Sequence, residues 1–357
     1  MKSIKQLADR IIKDAVQHHA SDIHIIPRKE DTLIQLRMAN KLIPRQTLPK
    51  KDCDRLIAHF KFTALMDIGE RRRPQSGAYS CLIDGQKIGL RLSTLPASNR
   101  ESLVIRLLPQ NKQIPFYQIS LFPCMTRKLT ALLKHAHGLI IFTGPTGSGK
   151  TTTLYSMLNE SSHVLNRNII TLEDPIEKET ESVLQVQVNE KAGISYSSGL
   201  KAVLRHDPDI IMVGEIRDGE TAKIAVRAAL TGHLVLSTMH TRDSKGAIYR
   251  LMEFGVNWLE IEQTLVAVTA QRLVELACPF CEGECPPMCY SYSKWKRASV
   301  FEMLTGNDLY AALKEAKGET SEPAPYRTIK KEIMKGIALG YVVESEYERW
   351  IFANEEK

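Results

Sequence analysis

Long apolar runs are absent from the sequence, and the longest ones, such as residues 138–142, have the length of a single strand. A helix that crosses a membrane needs about 20 apolar residues, so we expect no membrane span. The first ten residues contain no apolar core, and we therefore expect no signal peptide. The composition, 43% hydrophobic and 25% charged over 357 residues, is that of a folded globular protein of about two domains.

A large excess of one charge is also missing. Lys and Arg outnumber Asp and Glu by 48 − 41 = 7, and the sequence has no stripe of interleaved basic and aromatic residues. A protein that tracks along nucleic acid usually has a basic face and aromatic side chains for stacking. We therefore expect no direct nucleic-acid binding.

Cysteines are too few and too unevenly placed for a disulfide framework. Three of the seven are scattered, whereas Cys278, Cys281, Cys285 and Cys289 fall within twelve residues. Four thiolates at this spacing can close around one tetrahedral Zn²⁺, and four protein ligands would leave no open position for catalysis. We predict a structural zinc site; the alternatives are four reduced thiols without metal or a redox disulfide pair.

Hydrophobic periodicity divides the chain into parts of different character. Residues 4–17 have the apolar spacing of an amphipathic helix, and short strand-like runs separated by turn residues follow up to residue 108. This pattern predicts a small α+β domain with an antiparallel sheet. From residue 139, buried strands alternate with helices, which predicts a doubly wound α/β domain with a parallel-rich sheet. The parts expected are residues 1–108 (an α+β domain), 109–123 (a linker), 124–276 (the α/β core), 277–297 (the tetracysteine element) and 298–357 (C-terminal helices).

A phosphate-binding loop is predicted where the first buried strand of the α/β domain ends. The segment Gly144-Pro-Thr-Gly-Ser-Gly-Lys150-Thr151 matches G-x-x-x-x-G-K-[ST] in full, with a helix after it. Glycines let the backbone N–H groups curl around a phosphate, and the helix N-terminus adds partial positive charge. Lys150 would reach the β- and γ-phosphates of ATP, and the Thr151 hydroxyl would bind Mg²⁺. The nucleotide-binding residues expected are Gly144, Pro145, Thr146, Gly147, Ser148, Gly149, Lys150, Thr151 and Thr152.

Carboxylates and a histidine follow the next strands of this domain, at the strand ends where ligands of open α/β sheets bind. Glu215 follows a strand and a glycine, and we expect it to activate the water that attacks the γ-phosphate. Glu173 and Asp174 are expected to hold Mg²⁺ or its waters, although the spacing also allows the carboxylate roles to be exchanged. His240, which follows another strand, is expected to join Glu215 and Lys150 in catalysis.

Four segments resemble the motifs of the bacterial ATPases that drive type II secretion and type IV pilus assembly. Residues 20–27 resemble the N-domain signature of that family, with Ile26 where Glu is more usual. Residues 171–177 resemble its aspartate box, residues 204–218 its Walker B segment, and residues 228–241 its histidine box. Two features resemble those of assembly motors rather than retraction motors. They are the Glu-Ile-Arg sequence of the Walker B segment and the cysteine cluster. Within the family, the chain most resembles the motors of Gram-positive competence pseudopili, which serve DNA uptake.

The resemblance implies a PAS-like fold for the α+β domain of residues 1–108 and a RecA-like fold for the ATPase core. It implies a motor that works as a ring, and we expect a homo-hexamer with the nucleotide between subunits. It also implies an arginine from the N-terminal domain that senses the γ-phosphate. The family arginine that follows Gln-x-Gly is replaced by Ala78, so we expect Arg91 to take this role, with Arg106 as a second candidate. A further alternative is that one of the arginines at residues 71–73 compensates. The asparagine of the family's histidine box is Arg242 here.

The same resemblance implies the partners and the location of the chain. We expect ATP, Mg²⁺ and structural Zn²⁺ as cofactors, an integral-membrane platform protein as partner, and pseudopilins as indirect partners. The location expected is the cytoplasm, peripherally associated with the cell membrane. The alternatives are a motor for type II protein secretion or conjugative export, a helicase-like ATPase, or a nucleotide-gated assembly module with slow turnover.

Overall fold

The structure, a computed structural model, describes residues 3–18, 20–38, 41–98, 100–109, 115–281, 297–319 and 326–351. The chain divides into two compact units, Met1–Gln113 with Glu177–Glu179 and Ile114–Ile176 with Thr180–Lys357. Of the helices in the described ranges, none is long and apolar enough to cross a membrane. Residues 110–114 of the expected linker, as well as Cys285 and Cys289, lie outside the described residues.

The first unit is built on one antiparallel sheet and two helices. Its elements are α1 (Ile4–Gln17), β1 (Asp22–Pro27), β2 (Asp31–Met38), β3 (Lys41–Pro49), α2 (Lys50–Thr63), β4 (Gln75–Ile83), β5 (Gln86–Ala97) and β6 (Arg100–Pro109). The six strands lie in the order β3-β2-β1-β6-β5-β4. The apolar stripes of both helices, including Ile12 and Phe60, pack against sheet residues such as Ile23 and Leu90. This helix and sheet burial supplies the core of the unit.

Strand β3 is not predicted from the sequence, because Pro44 and Pro49 and several polar residues interrupt any apolar alternation. It pairs with β2 at the edge of the sheet, and its register shifts at Pro44. Proline is tolerated at such a position because an edge strand has one side without a ladder partner.

The second unit contains a mixed sheet that is mainly parallel. Its elements are α3 (Pro123–Leu132), β7 (Gly138–Thr143), α4 (Lys150–Leu165), β8 (Ile169–Glu173), β9 (Leu184–Gln187), α5 (Tyr196–Val203), β10 (Ile210–Val213), α6 (Gly219–Leu230), β11 (Leu234–Met239), α7 (Ser244–Glu253), α8 (Trp258–Thr264), β12 (Leu265–Glu275), β13 (Arg297–Thr305), α9 (Gly306–Ala316), α10 (Ile329–Ala338) and α11 (Ser345–Trp350). The seven strands lie in the order β13-β12-β7-β11-β10-β8-β9, and only β13 is antiparallel to its neighbour. The predicted α/β class is confirmed.

Helices cover both faces of this sheet, and alternate residues of the interior strand β7 show the two cores. Leu139 and Ile141 of β7 pack in the core with helices α5 to α9. Ile140 and Phe142 pack in the other core with α3 and α4. A strand buried on both faces needs apolar residues at every position, which explains the uninterrupted run that β7 carries.

The prediction of helices from residue 298 onwards is wrong for residues 298–305, which form most of β13. This strand pairs with β12 over nine residues, from Glu275 opposite Arg297 to Ala267 opposite Thr305. Its run of Val300, Phe301 and neighbouring apolar residues is buried on both faces, which suits a strand beside the parallel core. The chain therefore returns to the sheet after the cysteine cluster before its last helices begin.

Candidate nucleotide site

The phosphate loop connects the carboxyl end of β7 to the first turn of α4. Gly144 begins the loop with a φ of 148°, and Gly149 precedes α4 with a φ of 88°. Residues with a side chain rarely adopt such angles. A Cβ on Gly144 would also lie 2.5 Å from the Gln271 carbonyl oxygen and 3.1 Å from Arg272 Nη1. Glycine is therefore required at Gly144 both by the backbone angle and by the close approach of β12.

Two buried polar side chains lie within the loop. Lys150, the first residue of α4, donates from Nζ to the carbonyl oxygens of Gly144 at 2.7 Å and Pro145 at 3.1 Å. Ser148 is buried, and its Oγ has no hydrogen-bond partner among the described residues. A buried hydroxyl without a partner costs free energy unless a ligand supplies the bond, so the loop fits an anion such as a phosphate group.

The remaining loop residues surround these two. Thr146, Gly147 and Thr152 are exposed, while Pro145, Gly149 and Thr151 are half-buried. Thr151 lies in the first turn of α4, where N–H groups without helical partners face the loop. This arrangement presents the helix N-terminus and a hydroxyl toward the same space.

Glu215 follows β10 on a firmly held backbone. The Gly214 N–H donates to the Leu172 carbonyl at 2.8 Å, and Thr238 Oγ1 donates to the Gly214 carbonyl at 2.8 Å. The Glu215 side chain is 15% exposed. One carboxylate oxygen pairs with Arg217 Nη2 at 2.5 Å, and the other lies 3.6 Å from His240 Nε2. The structure therefore places Glu215 between a cation and the histidine.

His240 follows β11 and lies near three parts of the site. Burial lowers its pKa, and the charge of Lys150 lowers it further, while Glu215 and a hydrogen bond to the Gly144 backbone oppose these effects. The pKa is lowered in sum, so the ring is neutral at pH 7. His240 thus lies close enough to Glu215, Lys150 and Gly144 for each of them to affect its pKa.

Residues 240–243, which we call the histidine segment, are anchored at several points. The Thr241 N–H donates to Thr143 Oγ1 at 2.8 Å, and the two threonine hydroxyls lie 2.7 Å apart. Asp243 Oδ1 accepts from the Gly246 N–H at 2.8 Å and caps α7. Arg242 has an exposed side chain, and its carbonyl accepts a hydrogen bond from Arg272 Nη2.

Glu173 is buried at the end of β8 and faces helix α4. Both of its carboxylate oxygens accept from the Tyr155 hydroxyl, at 2.8 and 2.6 Å, and Oε1 also accepts from Thr171 Oγ1 at 2.7 Å. Tyr155 and Thr151 are four residues apart on the same face of α4. Glu173 is therefore held one helical turn beyond Thr151, and Asp174 is the exposed residue after it.

The two candidate arginines belong to the first unit. Arg91 of β5 is exposed and lies directly opposite Arg106 of β6. Arg106 Nε donates to Asp22 Oδ1 at 2.9 Å. Within the part of the chain that the structure describes, no ion pair involves Arg91.

Two of the four clustered cysteines are described. Cys278 and Cys281 lie just after β12 and are half-buried, and the Phe280 N–H donates to Cys278 Sγ at 3.5 Å. The described ranges contain no group of three or more His, Cys, Asp or Glu side chains that could hold a metal ion. The structure thus describes half of the predicted zinc ligand set.

The sequence reasoning missed four residues that shape this site. Arg217 stands two residues after Glu215, and this spacing could have suggested an ion pair. Tyr155 could have been found from its i+4 relation to Thr151 on the helix. Thr143 and Arg272 have no such local signal, because their partners are distant in the chain.

Comparison with known proteins assigns the family. A model of the type II/IV secretion system protein family matches residues 1–349. The chain belongs to the type II/IV secretion system protein family. Competence protein ComGA of Bacillus subtilis (strain 168) is 54% identical over 353 residues, which cover 99% of each chain. Type II secretion system protein E of Klebsiella pneumoniae is 43% identical over 284 residues, which are 79% of this chain and 57% of that protein.

Solved structures agree with this assignment. The pilus retraction motor PilT with bound ADP is 25% identical, with a TM-score of 0.72 over 98% of each chain. The ATPase DotB of Legionella pneumophila has a TM-score of 0.72 over 97% of this chain and 95% of that chain. It is 21% identical, so this second likeness concerns the fold alone. This family member is an ATPase of the secretion and pilus-assembly type, as predicted from its sequence.

Proposed function

We propose that this ATPase drives assembly of a competence pseudopilus and thereby supports DNA uptake. The observation that carries the proposal is the similarity to the competence protein ComGA of Bacillus subtilis, at 54% identity over 99% of both chains. The motor would act through an integral-membrane platform protein, and on pseudopilins only through that partner. It would work in the cytoplasm at the cell membrane.

The phosphate loop would bind ATP through groups that already face its interior. The buried Ser148 hydroxyl and the N–H groups at the start of α4 would donate to phosphate oxygens. Lys150 would exchange its bonds to the Gly144 and Pro145 carbonyls for bonds to the β- and γ-phosphates. Pro145, Thr146, Gly147, Gly149 and Thr152 would complete the cradle.

Glu215 would orient and deprotonate the attacking water. As the water oxygen bonds to the γ-phosphorus and the bond to the β-phosphate oxygen breaks, its proton would pass to the carboxylate, leaving ADP and phosphate. Arg217 holds one carboxylate oxygen at 2.5 Å, which fixes the direction of the other oxygen toward His240. Neutral His240 would donate a hydrogen bond to a γ-phosphate oxygen. Because its ring also lies beside Glu215, it would couple the position of that carboxylate to the presence of the phosphate.

The donor set also fits a magnesium ion. Thr151 offers a hydroxyl in the first turn of α4, and Glu173 lies one turn beyond it with Asp174 next in the chain. Mg²⁺, when bound, would neutralise charge on the β- and γ-phosphate oxygens. Because the Glu173 oxygens already accept two hydroxyl groups, we propose that Glu173 and Asp174 hold waters of the ion rather than the ion itself.

An arginine of the first unit would complete the site of a neighbouring subunit in a ring. Arg91 and Arg106 lie side by side on adjacent strands, and two like charges at this position destabilise a sheet. Asp22 offsets the charge of Arg106 but not that of Arg91. Arg91 is therefore the better candidate for contact with the γ-phosphate.

The ring would be a homo-hexamer. The first unit, which carries Arg91, would have a PAS-like fold, and the position of α2 between strands of one antiparallel sheet supports this description.

The cysteine cluster would hold one structural Zn²⁺. The hydrogen bond from the Phe280 N–H to Cys278 Sγ stabilises sulfur with thiolate character, which zinc requires. Cys278 and Cys281 would supply two ligands, and Cys285 and Cys289 the other two. The element would then form residues 277–297 between the α/β core and the C-terminal region.

Complementation tests the proposal directly. The chain is produced in Bacillus subtilis that lacks its own ComGA, and the frequency of transformation by added DNA is measured. We expect the parent chain to restore transformation, and Lys150→Ala and Glu215→Gln to fail at equal protein levels. Lys128→Ala, which removes an exposed lysine of α3, should restore it like the parent.

Two other outcomes would redirect the assignment. A chain that hydrolyses ATP in vitro but never restores transformation would favour a type II secretion or conjugative export motor. A chain that restores transformation while turning over ATP too slowly for work would favour a nucleotide-gated assembly module.

A further inference from the structure

Arg272 is a buried cation that the mechanism above does not use. It lies in β12 and is 7% exposed. Its Nη1 donates to the Gln271 carbonyl at 2.9 Å, and its Nη2 donates to the carbonyl of Arg242 in the histidine segment. Burial lowers its pKa, and the nearby charges of Glu302 and Asp243 oppose that effect. A guanidinium in water loses its proton only in strongly basic solution, so Arg272 is treated as a cation.

The guanidinium also limits the space at the start of the phosphate loop. A Cβ added to Gly144 would lie 3.1 Å from Arg272 Nη1. The group therefore packs against Gly144 while its second nitrogen holds Arg242. It is one rigid plane whose two terminal nitrogens contact the start of the phosphate loop and the histidine segment, a geometry that the single nitrogen of a lysine does not reproduce.

The C-terminal helices hold this guanidinium from the other side. Its central carbon lies 5.3 Å from the centre of the Trp350 ring of α11, within the range of a cation–π interaction. Arg349 lies 4.9 Å from the same ring, but its hydrogen bond goes to Glu346. The two arginines thus share an aromatic partner, and Arg272 is the one that donates a hydrogen bond to the histidine segment.

A second contact joins a C-terminal helix to the helix that follows the histidine segment. Glu302 of β13 accepts from the Ser244 N–H, at the start of α7, at 2.9 Å, and from the Ile329 N–H, at the start of α10, at 3.0 Å. One buried carboxylate therefore caps the helix after the histidine segment and a C-terminal helix together. The C-terminal helices are bonded to the nucleotide site at two places.

We propose that Arg272 is a positioning residue that sets the histidine segment against the phosphate loop and is itself held in place by Trp350. The proposal rests on the proposed function of that site. A cavity of about 680 Å³, lined by Pro145, Arg242, Arg272 and Trp350 among others, borders the segment. The histidine segment therefore has space to shift when the guanidinium is replaced by a shorter group.

Hydrogen exchange and ATP turnover together test the proposal on the full chain. We compare the parent with Arg272→Lys, which keeps the charge, and with the matched control Arg349→Lys. Arg272→Lys should speed amide exchange in peptides covering residues 144–149 and 240–246 while the rest of the chain exchanges as in the parent. It should lower kcat by on the order of tenfold to a hundredfold, because a displacement of about 1 Å can cost that much, while KM changes less than twofold. Arg349→Lys should match the parent in both measurements.

A second variant keeps the proposal testable if Arg272→Lys does not fold. Trp350→Leu leaves both arginines in place and should raise exchange in the same two peptides by a smaller factor. Parental exchange in Arg272→Lys, or faster exchange spread over the whole second unit, would overturn the proposal. Exchange does not need turnover, so the exchange result is readable even when the parent chain shows no ATPase activity by itself. Failure of the proposed function, which complementation measures, is therefore distinguishable from failure of this proposal.

Discussion

At the scale of single residues, the role of Glu215 depends on its two neighbours. Arg217 and His240 lie near different oxygens of its carboxylate, at 2.5 and 3.6 Å. The backbone beneath it is fixed by bonds from Gly214 to Leu172 and from Thr238 to Gly214. A carboxylate fixed in this way needs little reorganisation when it takes a proton from water.

Replacing Glu215 by Gln should separate binding from hydrolysis. The amide has nearly the same shape but cannot accept the proton, so we expect kcat to fall by on the order of 100-fold or more. Binding of a fluorescent ADP analogue should change less than about threefold, which corresponds to under 1 kcal/mol. Glu253→Gln, an exposed pair partner of Arg250 on α7, is the matched control and should turn over like the parent. Near-parental turnover in Glu215→Gln would remove Glu215 from catalysis.

The pKa of His240 should shift in opposite directions when Lys150 and Glu215 are replaced. Its pKa should lie below the usual value near 6.5, chiefly because of burial and then because of Lys150. Lys150→Met should raise this pKa, and Glu215→Gln should lower it further, since the lost carboxylate favoured the charged ring. NMR of labelled histidine between pH 5 and 8 measures all three, with Lys128→Ala as the unshifted control. A shift of the same sign in both variants would contradict the geometry.

The lowered pKa also predicts how His240 affects stability. The unfolded chain binds the proton of His240 more readily than the folded one. Above the pKa of the unfolded state both forms are neutral, so His240 does not lower the free energy of unfolding there. The folded state loses stability as the pH falls from there toward the lowered pKa.

At the scale of elements, the sequence predicts what is local and misses what is not. The phosphate loop, the helix after it and the strands around residues 139–143 and 210–213 follow from short patterns, and the structure has all of them. Strand β3 is hidden by its prolines, and β13 by its distance from the strand it pairs with. At the site, Glu215 and His240 follow strands that the sequence predicts. The hydrogen bond from Arg272 to the Arg242 carbonyl forms only when the sheet brings these distant residues together, so no local pattern predicts it.

The tetracysteine element should contain metal. Protein purified without chelator should carry about one equivalent of zinc, since four thiolates make one closed tetrahedral site. Cys281→Ser should lose that zinc and lower the melting temperature, because metal binding and folding of such an element are coupled. Cys124→Ser, at an exposed cysteine of α3, is the control and should retain the zinc. Metal-free parent protein in which all four cysteines of the cluster react as free thiols would favour the reduced, metal-free alternative.

At the scale of the whole molecule, the residues proposed to act in hydrolysis do not all come from one unit of the chain. The phosphate loop, Glu215 and His240 all lie in the second unit, while Arg91 lies in the first. If the arginine comes from another subunit, hydrolysis depends on assembly. ATP turnover per subunit should then rise with protein concentration and reach a plateau. A rate that stays near zero at all concentrations would mean that the platform partner is required or that the chain is a slow module, and adding that partner distinguishes the two.

Mixing two inactive variants shows whether Arg91 acts across the subunit boundary. Lys150→Ala and Arg91→Ala should each be inactive in a ring of identical subunits. In rings mixed at equal amounts, a site is intact where a subunit with Lys150 adjoins one with Arg91, so roughly a quarter of parental turnover should return for a closed cyclic assembly. Lys150→Ala mixed with Glu215→Gln is the control and should stay inactive, because both residues belong to the same unit. If the first mixture also stays inactive while mixed rings form, Arg91 acts within its own subunit or not at all.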